Sequence, residues 1–197
     1  ALSGRYSYWA ALHVVKDDVY NLNTLTTSKS NYDAALNWFL SDEFNVFVRA
    51  FRGGQGITDD ATKLAPYENI GLSSDSYLKL DGLELGVKGY LGGVMMRNSK
   101  FNPYLTATGG MSTWALTESG RGSDVLVLEQ EKLEGTSPAF SFGIGTEYQL
   151  GKRFALEFEW AWRYILTGDD TKWPDSDYTW SNTHAWALSA GLMWGFL

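Results

Sequence analysis

The chain has 197 residues, a formal net charge of −7, no cysteine and two histidines. These features exclude a structural disulfide, a thiol nucleophile and a cysteine-based zinc site. They also argue against nucleic-acid binding, which needs clustered Lys and Arg. Aromatic residues reach 15 % and glycines number 21, yet no apolar run approaches the roughly 18 residues that a membrane-spanning helix needs.

In place of long apolar runs, apolar residues recur at every second position, the period of a strand with two unlike faces. The opening ALSGRYSYW reads as a mature end left by cleavage after a small residue. From there, Tyr6, Tyr8, Ala10, Leu12 and Val14 alternate with Arg5, Ser7, Trp9, Ala11 and His13. Next, Ala34, Leu36, Trp38 and Leu40 alternate with Asp33, Ala35, Asn37 and Phe39. After a short SDE turn, Phe44, Val46, Val48 and Ala50 alternate with Asn45, Phe47, Arg49 and Phe51.

The fourth segment sets Leu83, Leu85, Val87 and Leu91 against Glu84, Gly86, Lys88 and Tyr90. A turn near MRNSK follows. In the fifth, Phe101, Pro103, Leu105, Ala107 and Met111 oppose Tyr104, Thr106, Thr108, Gly110, Ser112 and Trp114. In the sixth, Phe140, Phe142, Ile144, Tyr148 and Leu150 oppose Ser141, Gly143, Gly145, Glu147 and Gln149. The seventh has the clearest pattern: GKRFALEFEWAWRY places Phe154, Leu156, Phe158, Trp160, Trp162 and Tyr164 on one face, and Glu157, Glu159 and Arg163 on the other. The eighth sets Trp186, Leu188, Ala190, Leu192, Trp194 and Phe196 against Ala185, Ala187, Ser189, Gly191, Met193 and Gly195.

The connections at SDE, MRNSK and GKR are short. Those near 16–31, 54–75, 119–136 and 167–182 are long and polar. An even strand count with short turns at one end and long loops at the other is the layout of an outer-membrane barrel. A soluble barrel would have to hold Trp160, Trp162, Trp186, Trp194, Phe158 and Phe196 in a lumen too narrow for them, and would show water a face of Gly and Ala. The pattern therefore predicts an all-β fold: one eight-stranded antiparallel up-and-down transmembrane β-barrel over residues 1–197. The aromatic faces meet lipid, and the mixed small and charged faces fill the lumen. Tyr6, Tyr8, Tyr148, Trp186, Trp194 and Phe196 fall near strand ends, where aromatic girdles sit.

Two stretches carry a more specific likeness. NPYLTATGG at 102–110 and FSFGIGTEYQLGKRFALEFEWAWRY at 140–164 resemble the small barrels of the outer-membrane protein A-like and opacity-protein-like group. The closing GLMWGF is similar to the outer-membrane C-terminal signature, which ends on an aromatic residue; here Leu197 follows the Phe, as a native residue or a tag remnant. The resemblance implies an eight-stranded barrel in a bacterial outer membrane, with periplasmic turns and no room for a C-terminal peptidoglycan-binding domain. It implies no single function, because the group spans adhesins, structural anchors and narrow channels.

The lumen-facing charges are Arg5, Arg49, Lys88 and Arg163 against Asp33, Glu84, Glu147, Glu157 and Glu159. Ionisable groups in a membrane-spanning structure are costly unless paired or wet. Signs this nearly balanced imply pairs locked across the lumen, with a gated solute path as the alternative. The last loop gathers Asp169, Asp170, Trp173, Asp175, Asp177, Tyr178 and Trp180, and Asp17, Asp18, Asp59 and Asp60 add further carboxylate pairs. This is a candidate surface for a partner, a glycan or cation-bridged lipopolysaccharide. The spacing fits no EF-hand, and no metal or cofactor is expected.

A lipid hydrolase would need Ser and His in hydrogen-bond reach of each other. His184 has Ser181 and Asp177 nearby, but neither histidine is followed by the Ser two residues on that lipid A deacylases carry. RGGQG at 52–56 and ESGRG at 118–122 lack the setting of a phosphate loop and read as mobile loop segments. The expected partners are outer-membrane lipid and lipopolysaccharide, with a surface ligand or envelope protein besides. A closed barrel has no free edge, so a monomer is expected.

Overall fold

The computed structural model describes residues 1–11, 25–27, 29–65, 71–91, 100–119, 121–128, 130–166 and 183–195. Eight long strands form the wall: β1 (Leu2–Ala11), β2 (Lys29–Phe39), β3 (Phe44–Ile57), β4 (Tyr77–Tyr90), β5 (Phe101–Thr117), β6 (Glu134–Gln149), β7 (Phe154–Ile165) and β8 (Thr183–Trp194). Each pairs antiparallel with its sequence neighbours, and β1 pairs with β8 from Leu2↔Trp194 to Ala11↔Ala185. The sheet therefore closes in up-and-down order. Closure gives every barrel strand a hydrogen-bonded neighbour on both sides, which a bilayer demands.

The outer face is apolar and open. Leu85, Leu188, Phe142, Trp160 and Leu105 are all more than half exposed. Such a surface encircling a protein is a lipid-facing band, not a core. The twelve residues of β7 climb about 28 Å at ~3.3 Å per residue and ~40° tilt, close to the roughly 25 Å band of such barrels. On this face Trp160 stacks on Trp186 at 4.7 Å between centroids, and Tyr6 meets Tyr32 edge-on at 5.4 Å.

At one end the chain turns tightly. Leu40 and Ser41 both donate to the Phe44 carbonyl, and Leu150 and Gly151 to that of Phe154. At the other end β3 to β6 rise well beyond β1 and β2, with β5 reaching 17 residues. There the two faces exchange character. Leu78, Leu80, Trp114, Leu116 and Leu133 point inward and are almost wholly buried. Outside, Arg52, Asp81, Thr113 and Thr136 replace the apolar band. The wall leaves the lipid at this level and becomes a small soluble-type barrel, with Leu25, Leu64, Leu72 and Leu126 from the connecting segments completing its core.

Two sequence expectations need correction here. RGGQG at 52–56 lies within β3, where Gly54 has φ +156° and donates its amide to Asn31 Oδ1 at 2.5 Å. A Cβ on Gly54 would sit 2.1 Å from the Leu78 carbonyl oxygen, so glycine marks close strand contact rather than mobility. Phe39 and Gln149, placed in the inward sets, are exposed, because each stands at the turn where its strand ends.

Strand approach also restricts the lumen wall. A Cβ at Gly110 would come within 2.1 Å of the Leu83 carbonyl oxygen, which is backbone and cannot step aside. Gly110→Ala is expected to cost about 1–3 kcal/mol, the usual penalty of forced overpacking. Denaturant unfolding of the refolded protein checks this, with Gly4→Ala, which meets nothing within 4 Å, as the neutral control.

Candidate functional site

The lumen is divided into two layers. The lower one holds nine ionisable side chains from six strands, all of them buried. Strand alternation puts each on the inner face, and the stagger of the barrel brings opposite charges within reach of one another. Arg5 is the hub. Its Nε donates to Asp33 Oδ1 at 2.8 Å and its Nη2 to Asp33 Oδ2 at 3.2 Å, a two-pronged pair that fits the planar guanidinium. Its Nη1 lies 3.0 Å from Glu157 Oε1 and 3.0 Å from Glu159 Oε1. Arg49 reaches Glu159 at 3.4 Å, Glu84 at 3.8 Å and Asp33 at 4.0 Å.

Lys88 bridges Glu147 and Glu157, at 2.9 Å each. Two phenols complete this side: Tyr90 donates to Glu147 at 2.7 Å, and Tyr104 to Glu157 at 2.9 Å and to Glu159 at 3.3 Å. The sequence reading put both tyrosines on the inner face but not among the site residues, because a phenol carries no charge to draw attention. Aromatic rings fill the remaining gaps. Lys88 Nζ sits 4.6 Å over Tyr104, and the Arg49 guanidinium 4.7 Å over Phe47.

Arg163 joins the two layers. It donates to Glu84 below, while its guanidinium lies 4.7 Å over Trp9 and 4.4 Å over Phe51. Above that seam the lumen is mainly apolar, filled by Trp9, Phe51, Leu78, Leu80, Trp114, Leu116 and Ile165, with Gln55 buried beside Leu78 in register. The alternation pattern does not reveal this upper plug, since its leucines lie beyond the point where the faces exchange roles.

Four cations therefore meet five carboxylates. The pairing makes burial tolerable, because each charge has an opposite partner in a poorly screened interior. It also ties β1, β2, β3, β4, β6 and β7 together across the barrel axis.

The loop candidates Asp169, Asp170, Trp173, Asp175, Asp177, Tyr178 and Trp180 lie outside the described residues, as do Asp17, Asp18, His13 and Ser181. Of the other acidic pair, Asp60 caps a short helix, α1 (Ala61–Leu64), accepting from the Thr62 amide at 3.1 Å and the Thr62 hydroxyl at 2.6 Å. The Thr62 hydroxyl is the chief reason the Asp60 carboxyl lies below the usual carboxylate range. His184 packs edge-on against Tyr164 at 4.4 Å, at the outer wall of the barrel.

No protein-family model matches this chain, and no curated protein does. Solved structures do. Neisserial surface protein A matches with a TM-score of 0.62 at 14 % identity, over 99 % of this chain and 96 % of that one. A major outer membrane protein from Thermus thermophilus matches at 0.54 and 12 % identity, over 100 % of both chains. The outer membrane protein OprG from Pseudomonas aeruginosa matches at 0.50 and 13 % identity, over 99 % of this chain and 94 % of that one. At such identities the likeness concerns the fold. Together with the closed eight-strand wall and its exposed apolar band, it assigns the chain: it is a small eight-stranded β-barrel of the bacterial outer membrane.

Proposed function

We propose that this protein is a closed barrel that works through its extracellular surface, not an enzyme and not a pore. It is one domain over residues 1–197, and it acts as a monomer. The observation that carries this reading is the double closure of the lumen. A lock of nine paired charges lies beneath an apolar plug led by Trp9, Phe51 and Trp114, and these side chains are almost completely excluded from solvent. A lumen filled this way serves rigidity, and leaves function to what the barrel displays. Its display surface is acidic and aromatic around 167–182, with Asp169, Asp170, Asp175 and Asp177 beside Trp173, Tyr178 and Trp180. That composition suits a cationic or cation-bridged partner.

A second reading, a narrow solute channel, draws on polar atoms inside the lock. Arg49 Nη1, Glu84 Oε2, Glu157 Oε2 and Arg163 Nε have no hydrogen-bond partner among the described residues, so the interior has polar groups that water or a small solute would satisfy. Liposome swelling separates the two. Vesicles carrying the refolded protein are expected to swell in arabinose or glycine no faster than empty vesicles. Faster swelling that changes in Glu84→Gln or Arg163→Gln would favour the channel. For the surface itself, cells displaying the wild type are expected to be retained on immobilised oligolysine. Replacing 167–182 with a Gly–Ser linker should release them, and equal retention would refute the loop's role.

A further inference from the structure

Where the wall leaves the lipid, β3, β4 and the segment after β5 assemble a cluster that lies outside the lumen. Asp81 lies on the outer face of β4, opposite Arg52 and Thr113 in register. Three cations surround its one carboxylate. Arg121 donates to Asp81 Oδ1 and also to the Gly53 carbonyl, which fixes the guanidinium against the wall. Arg52 Nε stands 3.8 Å and Lys79 Nζ 3.9 Å from the same carboxylate, with 72 % and 37 % of their side chains exposed. At those distances neither makes a full hydrogen bond to Asp81. Both keep donors for a further anion, and the cluster carries an excess of positive charge on an otherwise acidic protein.

Its height matters. The register row directly beneath, on the same face, is Ala50, Leu83, Met111 and Pro138, the upper edge of the apolar band. The cluster therefore sits at headgroup level on the side of the long loops. Beside it the outer wall hollows into a cleft of about 330 Å³, lined by Lys79, Thr113, Ala115, Glu134 and Thr136. That volume is at the lower end of small-ligand sites, about 300–1,000 Å³. Lys79 belongs to both features. The cleft offers hydroxyls and a carboxylate, the groups that bond sugar hydroxyls, next to cations that bond phosphate.

We infer that this outer-wall site holds the phosphorylated saccharide headgroup of an outer-leaflet glycolipid. Arg52, Lys79 and Arg121 clamp the phosphate, and Thr113, Thr136 and Glu134 meet the sugar. The site lies on the opposite face of the wall from the lumen lock and stands whether or not the lumen conducts.

Native mass spectrometry of the micelle-refolded protein tests this with three probes: diphosphorylated lipid A, the same glycolipid without phosphates, and phosphatidylglycerol. The diphosphorylated form is expected to remain bound. Arg52→Gln with Lys79→Gln should lower its occupancy roughly tenfold, as loss of two charge-assisted contacts implies. Thr113→Val with Thr136→Val should weaken it while leaving phosphatidylglycerol unaffected. Heat-modifiable gel migration confirms that each variant is folded. Equal binding of the phosphorylated and dephosphorylated glycolipids would overturn the clamp. So would wild-type occupancy in the Arg52 and Lys79 double variant. Phosphatidylglycerol bound as well as lipid A would overturn the saccharide part of the site.

Discussion

Arg5→Ala is expected to lower the unfolding free energy by about 3–5 kcal/mol, the cost of breaking a buried ion pair from one side. The size follows from Arg5's position. It contacts Asp33, Glu157 and Glu159 at once, so its loss leaves three cations against five carboxylates in a poorly screened space. Glu157→Gln should cost less. It leaves four cations against four carboxylates, and the amide oxygen still accepts from Lys88 and Tyr104. Adding Glu159→Gln to Arg5→Ala restores the original excess of one negative charge and is expected to recover part of the loss. Urea titration of protein refolded in vesicles, followed by tryptophan fluorescence, reads all four species. An Arg5→Ala protein as stable as wild type would mean that water, not pairing, carries these charges.

The second large effect is on the opposite face. Val87 is 48 % exposed, midway along the lipid-facing row that runs from Leu83 to Leu91. In water, exchanging so exposed a valine for arginine would change stability by no more than about 0.5 kcal/mol. In a bilayer it places a charge near the midplane, at about 2–4 kcal/mol. Val87→Arg is therefore expected to destabilise the vesicle-refolded barrel by that amount. Thr113→Arg, one register row above the apolar edge, should fall within about 0.5 kcal/mol of wild type. The same small effect at both positions would contradict the assigned lipid band.

The band was readable in the sequence because one physical demand repeats along it. Lipid outside and a narrow lumen inside force large apolar side chains to alternate with small or paired ones, as in Phe154 to Tyr164. The same alternation placed Arg5, Arg49 and Glu159 on inner faces. It could not say which charges meet, because pairing depends on strand stagger and closure. Arg5 and Glu157 are 152 positions apart and become neighbours only when β1 docks on β8.

The upper barrel escaped the reading for a different reason. Above the lipid the rule inverts, so Leu78, Leu80 and Leu116 turn inward while Lys79 and Asp81 face out. A pattern tuned to apolar-out residues ends at Leu83 and leaves Tyr77 to Gly82 outside any strand. Glycine misled in the same region. RGGQG has the composition of a mobile segment, yet Gly53 and Gly54 are there to let β2 and β4 approach β3. The cluster around Asp81 was invisible because Arg121 follows β5 by only a short segment in sequence but folds back onto β4.

The most direct measurement of the lumen's state is single-channel conductance of the refolded protein in a planar bilayer, recorded beside Arg5→Ala and Trp9→Ala. With folding confirmed by heat-modifiable migration, the wild type is expected to be electrically silent, because the charge lock and the apolar plug close the lumen in series. Each variant removes only one closure, so neither should produce a steady open level. Steady wild-type conductance that shifts on substituting Arg5 would contradict the closed barrel and make the lumen the working site.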